Sequence, residues 1–154
     1  MLTSRKTPQG GFTLIELVVV IVILGILAAF AIPRFANIAK DARVSSVNGL
    51  AGSLRSTSAL VHGMALAQNQ NGLTGTVSLE SQAITLANGY PTADAAGIVA
   101  ALNNLDLATY GLSGAGPLTI SILSAPSAGV NCNAVYTAAA PGGSAAVGTD
   151  TTNC

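Results

Sequence analysis

The sequence predicts an α+β fold in which a long, kinked N-terminal helix packs against a small antiparallel β-sheet head. Three observations carry that expectation. Leu17 to Ile32 is a sixteen-residue run without a charged or polar side chain. After Pro33 the apolar residues recur at helical spacing. Beyond Gly72 the chain changes to short alternating runs separated by Gly, Pro and Ser, the pattern of brief strands and turns. Half of the 154 residues are apolar, yet only 4% are aromatic and 8% charged, so the head can build only a small core.

The first element covers residues 12–33. From Phe12 to Ile32 only Thr13 and Glu16 are polar, and as a helix these residues would extend about 31 Å, close to the hydrocarbon thickness of a bilayer. Arg5 and Lys6 precede the run, which sets the N-terminus on the cytoplasmic side and the remainder outside. An ordinary secretory signal is one reading, with Ala29-Phe30-Ala31 as the cleavage site and a mature start at Ile32. A plain uncleaved anchor is another. Neither has a use for Glu16. The Thr13-Leu14-Ile15-Glu16 spacing matches a capping box, in which an acid in the first turn pairs with exposed backbone N–H groups. Gly25 and Ala29 form a small-xxx-small pair, and Pro33 lacks the N–H that an unbroken helix requires, so a kink or local melting is expected over Gly25 to Pro33.

Residues 34–67 form the amphipathic second half. Val47, Leu50, Ala51, Leu54, Val61 and Met64 make an apolar stripe that Thr57 and Ser58 interrupt, and the helix is expected to reach about Ala67 before a Gln68-to-Gly72 loop. Arg34, Lys40, Asp41, Arg43 and Arg55 decorate it, either as a solvated face with local ion pairs or as contacts between subunits. His62 reads as a packing or surface residue. Residues 68–116 read as a segment with a strand or loop at Val77 to Leu86 and a short helix near 93–105, capped by Thr92. Residues 117–154 are β-rich, with strands in Pro117 to Leu123 and Val130 to Ala138 around an Ala125-to-Gly129 turn. Two to four strands are expected in all.

Charge and composition exclude several functions. Every basic residue lies at or before Arg55, and beyond it Glu80, Asp94, Asp106 and Asp150 give a net charge of −4, which offers nucleic acid no basic footprint. One histidine and two cysteines are too few for a tetrahedral zinc site, and the acids are unclustered, so no metal or cofactor site is expected. Gly111-Leu112-Ser113-Gly114-Ala115 falls short of a nucleophile elbow by its last glycine and reads as a turn. Catalysis is not expected. Cys132 and Cys154 lie in the exported part, where thiols oxidise, so pairing is expected; the bridge would add about 3 kcal/mol and restrain a Gly/Ser/Thr-rich tail.

Gly10-Gly11-Phe12-Thr13-Leu14-Ile15-Glu16-Leu17, followed by the apolar run and Pro33, resembles the class III signal of type IV pilins and pseudopilins. The resemblance implies that residues 1–11 are a leader, cut after Gly11 by a prepilin peptidase that also methylates the amine of Phe12. It implies that Glu16 meets the Phe12 amine of a neighbouring subunit during assembly. The implied protein sits in the inner membrane as a precursor and then polymerises into an extracellular filament, a homo-oligomer made by dedicated assembly machinery. Its C-terminal disulfide loop, 132–154, would form exposed filament surface for attachment to an unidentified receptor. Pro33-Arg34-Phe35, Asp41-Ala42-Arg43 and Gly89-Tyr90-Pro91 resemble the mannose-sensitive haemagglutinin pilin branch. A pseudopilin of a secretion system shares the N-terminal signature, and a secreted or anchored binding domain with an ordinary signal peptide is the alternative of a different class.

Overall fold

The structure is a computed structural model that describes residues 11–103, 105–126 and 130–154. Residues 1–10, with Arg5, Lys6 and Gly10, lie outside the described residues, as does most of the expected turn ending at Gly129. The chain divides into two compact units, one ending at Ala39 and one comprising Lys40–Cys154.

One helix, α1 (Leu14–Ala67), contributes to both units and ends where the loop signal begins. It is helical without interruption across Gly25 to Pro33, so the local melting considered for that stretch is absent. In the first unit, every residue from Gly11 to Phe30 is exposed. Apart from Thr13 and Glu16 these residues are apolar, and among the described residues no sheet or second helix covers them.

In the second unit, α1 buries one stripe: Val47, Leu50, Ala51, Leu54, Ser58, Val61 and Ala65. The step of three, four or seven residues places them on one face. Ser58 continues the stripe rather than breaking it, because its hydroxyl pairs with the buried phenol of Tyr136 at 3.3 Å. Met64, expected in the stripe, is only half-buried, and Ala65 takes the innermost place.

Among the described residues seven antiparallel strands form two sheets, more than the two to four expected. The first sheet comprises β1 (Thr74–Leu79), β2 (Gln82–Ala87) and β3 (Tyr90–Pro91) in that order. The second comprises β4 (Tyr110–Ser113), β5 (Leu118–Ile122), β6 (Asn133–Thr137) and β7 (Ala146–Asp150), also in chain order. Val77 to Leu86 is therefore a hairpin and not one strand or loop. Its turn uses positive φ at Glu80 and Ser81, residues without the glycine or asparagine signature of such turns. Gly111 to Ser113, read as part of a turn that runs to Ala115, belong instead to the edge strand β4. The strand expected within Val130 to Ala138 is β6, and β5 alternates buried and half-buried residues as its sequence pattern requires.

The short helix expected near 93–105 is a five-residue π turn, Ala95–Val99, continued by Ala100 and Ala101. Its cap is Asp94, not Thr92: the Asp94 carboxylate accepts from the Gly97 N–H at 2.8 Å and from the Thr92 hydroxyl at 2.9 Å. The turn closes on Gly97, where a Cβ would lie 2.2 Å from the Thr92 carbonyl oxygen. That contact excludes any larger residue without rearrangement.

The core runs along the α1 stripe in three groups. Val47 packs with Ile122, Ala125 and the two cysteines; Leu50, Ala51 and Leu54 pack with Ile98, Ile120 and Tyr136; Val61 and Ala65 pack with Val77, Ile84 and Leu86. One helix face thus joins two sheets that share no strand ladder.

Candidate functional site

The start of α1 gathers the residues that the sequence singled out first. Gly11 and Phe12 are exposed and precede the helix, with Phe12 87% exposed. Thr13 is the N-cap of α1, and Glu16 stands three residues on. The Glu16 N–H donates to the Thr13 hydroxyl oxygen at 3.3 Å, while the Glu16 carboxylate accepts from the Thr13 N–H at 2.8 Å and from the Thr13 hydroxyl at 2.6 Å. This is a complete capping box, formed within one chain. Phe12, Ile15, Val19 and Val20 surround Glu16 with apolar surface along an open cleft. The carboxylate is therefore held close to the first residues of the helix, on a face that is otherwise hydrocarbon.

Gly25 lies within α1, where a Cβ would meet nothing, so the helix leaves open space beside it. The helix around it is long and apolar enough to cross a membrane by length and composition, and it is unburied in the chain.

The second site is the disulfide between Cys132 and Cys154, with Cα atoms 4.8 Å apart. Both cysteines are buried beside Val47. The bridge closes a loop that contains β6 and β7, whose register runs from Asn133 opposite Asp150 to Thr137 opposite Ala146. Next to it the Arg43 guanidinium donates to the Cys154 carbonyl oxygen. Arg55 donates to the Val147 carbonyl at 3.0 Å. Both arginines thus hold the C-terminal strand and tail of their own head. The Asp150 carboxylate accepts from the Thr152 N–H at 3.0 Å and hydroxyl at 2.6 Å, and these bonds hold its pKa below the usual carboxylate value.

Two polar arrangements escaped sequence reasoning. The Tyr136 hydroxyl donates to the Pro91 carbonyl at 2.9 Å and meets Ser58, so one phenol ties β6 to β3 and α1. Burial raises its pKa, with the Ser58 hydrogen bond opposing and Tyr90 adding to the rise. His62 stacks on Tyr90 with ring centroids 3.9 Å apart and donates from Nδ1 to the Gly89 carbonyl at 2.8 Å. Only the turn signal in Asn88-Gly89, which places Tyr90 at the start of a strand, hinted at this pairing. Among the described residues, no three His, Cys, Asp or Glu side chains converge in a way that could hold a metal ion.

The described residues thus present two features, a capped and exposed apolar helix start and an α+β head closed by a disulfide. Residues 6–32 match the family described as the prokaryotic N-terminal methylation motif. The chain is 50% identical over 50 residues to the type IV narrow pilus major component of Thermus thermophilus, covering 32% of this chain and 43% of that one. It is 37% identical over 97 residues to a type IV major fimbrial protein of Dichelobacter nodosus, covering 60% of each. It is 40% identical over 95 residues to a type IV major pilin protein of Neisseria gonorrhoeae, covering 57% of this chain and 44% of that one. No solved structure matches. Over part of its length the chain is thus similar to type IV pilins, and it spans less than two thirds of the length of each of these relatives. None of these matches singles out the mannose-sensitive haemagglutinin branch.

Proposed function

We propose that this chain is a structural subunit of a type IV pilus, made as an inner-membrane precursor and polymerised through its N-terminal helix into an extracellular filament. The observation that carries the reading is the first half of α1. It is apolar on every side, uncovered in the single chain, and introduced by Gly11-Phe12 and a carboxylate three residues after the N-cap. Such a surface suits lipid and a bundle of its own copies equally, so the helix can leave one for the other without exposing new polar groups.

In this reading prepilin peptidase removes residues 1–11, cutting after Gly11, and the Phe12 amine is methylated. The freed amine is then the natural partner of a neighbour's Glu16, because an unpaired carboxylate is costly in apolar surroundings and a cation beside it removes that cost. Gly25 and Pro33 would let the helix bend as subunits pack. The head, held by its disulfide, would face solvent, and its 132–154 loop would supply surface for attachment. The role is structural, without catalysis or cofactor; the relatives named above are pilus and fimbrial components.

The test is the intact mass and terminal sequence of the protein recovered from sheared surface filaments. A start at N-methylated Phe12 is expected. A start at Ile32 would replace the filament reading with that of a secreted domain, and a correctly processed chain found only in the envelope would favour a secretion pseudopilin.

A further inference from the structure

The chain contains three asparagine–glycine pairs: Asn48-Gly49, Asn71-Gly72 and Asn88-Gly89. In such a pair the following backbone nitrogen can attack the side-chain amide carbon with little hindrance, because glycine carries no Cβ. The attack needs a free nitrogen, a free side chain and backbone freedom to bring them together.

The structure places the pairs in three different settings. Asn48 and Gly49 lie inside α1, where helical dihedrals and the hydrogen-bond ladder hold the Gly49 nitrogen away from the Asn48 side chain. Asn88 and Gly89 form the two-residue turn between β2 and β3, with φ of 53° and 78°. That turn is fastened on every side: Asn88 Nδ2 donates to the Ala139 carbonyl at 2.8 Å, the Asn88 N–H to the Leu73 carbonyl at 3.2 Å, and His62 to the Gly89 carbonyl at 2.8 Å. Asn71 and Gly72 are exposed, between the end of α1 and the start of β1. Neither the Asn71 side-chain amide nor the Gly72 N–H has a hydrogen-bond partner among the described residues.

We propose that Asn71 is the spontaneous deamidation site of this protein. The Gly72 nitrogen forms a bond to Asn71 Cγ, the Cγ–Nδ2 bond breaks, and ammonia leaves with the proton lost from the Gly72 N–H. Water then opens the resulting succinimide at either carbonyl, giving aspartate or isoaspartate at position 71. The product places a new carboxylate in the cleft that Asn71 shares with His62, Tyr90 and Pro141. Beyond Arg55 the chain has acids and no Lys or Arg, so conversion makes an already acidic region more acidic at this loop. The inference is independent of the filament reading.

The experiment incubates the purified full chain, folded and disulfide-bonded, in mildly alkaline buffer at physiological temperature, with peptide mass mapping and isoaspartyl methyltransferase labelling over time. Asn71 is expected to convert about tenfold faster than Asn48 or Asn88 or more, equivalent to about 1.4 kcal/mol of local restraint on the other two. In the reduced, unfolded chain the three rates should converge. Gly72→Ala should slow conversion at Asn71 without changing thermal unfolding, since a Cβ there lies 3.7 Å from its nearest neighbour, the Thr74 carbonyl oxygen. Equal rates at the three sites in the folded chain would overturn the proposal. So would an Asn71 that stays an amide while the unfolded chain reacts.

Discussion

Residues 14–32 and 47–65 belong to one helix, yet they solve the burial problem in opposite ways. Apart from Glu16 the first stretch is apolar around its circumference, and almost none of it is covered among the described residues; Leu24 is 58% exposed and Ile26 56%. The second is apolar along one stripe and covers it with two sheets of its own chain, so that Leu54 and Val61 are fully buried. A helix that is hydrophobic all round needs an external apolar partner, while an amphipathic one is satisfied internally. The difference separates what holds the subunit together from what the subunit can offer to others.

That separation is broken most directly by truncating matched leucines. Leu54→Ala should destabilise the head by about 2 to 5 kcal/mol, because the void lies among Leu50, Ile98, Ile120 and Tyr136. Leu24→Ala should leave head unfolding within about 0.5 kcal/mol of the parent, as for an uncovered site. Chemical denaturation of detergent-solubilised protein, followed by head tyrosine fluorescence, measures both.

Next in size is the disulfide. Cys132→Ser should cost about 2 to 5 kcal/mol and loosen β7, whose residues are otherwise mostly exposed. Hydrogen exchange should show lost protection at Val147 and Thr149 before the first sheet responds.

Tyr136→Phe follows, at about 1 to 3 kcal/mol, because it leaves the buried Ser58 hydroxyl and Pro91 carbonyl without their shared partner. It also carries a pH signature. Burial raises the folded-state pKa of Tyr136 above that of an unfolded tyrosine, so its contribution is fully present below about pH 10 and declines as pH rises past the folded value. The parent head should lose stability in that alkaline range, and Tyr136→Phe should flatten the loss.

The smallest effect expected is at Asp150, whose pKa is held down by its bonds to Thr152. A depressed carboxylate stabilises above its unfolded pKa and loses that contribution as pH falls through the folded one. Asp150→Asn should therefore remove a slight acid sensitivity of the C-terminal strand, read from unfolding at pH values below the ordinary carboxylate range.

Much of this contrast was legible in the sequence, since it rests on periodicity and side-chain polarity. The apolar run, the stripe from Val47 to Val61, the helix end at Ala67 and strands β5 and β6 all follow from patterns confined to one segment. What escaped were features that depend on partners far along the chain. The β1–β2 hairpin turns on Glu80 and Ser81, whose positive φ is imposed by strand register rather than announced by residue type. β7 lies in a Gly/Ala/Thr-rich tail with no strand signal, and exists by pairing with β6 and through the disulfide. Ser58 looked like a gap because its partner, Tyr136, is 78 residues away. At the candidate site, the Thr13–Glu16 capping box was legible because it is local, whereas Arg43 and Arg55 gave no sign of reaching the Cys154 and Val147 carbonyls.

The central claim is that the uncovered half of α1 assembles with copies of itself, and that Glu16 contributes its charge to this and not only its hydrogen bonds. Glu16→Gln separates the two, because glutamine preserves the capping-box bonds to Thr13 while removing the charge. The measurement is the amount of sheared surface filament relative to the membrane-bound pool, with processing at Gly11 checked by mass. The account predicts normal processing, a filled membrane pool and few or no filaments from Glu16→Gln cells. Filaments at the parental level from that variant would contradict it and leave Glu16 as a helix cap alone.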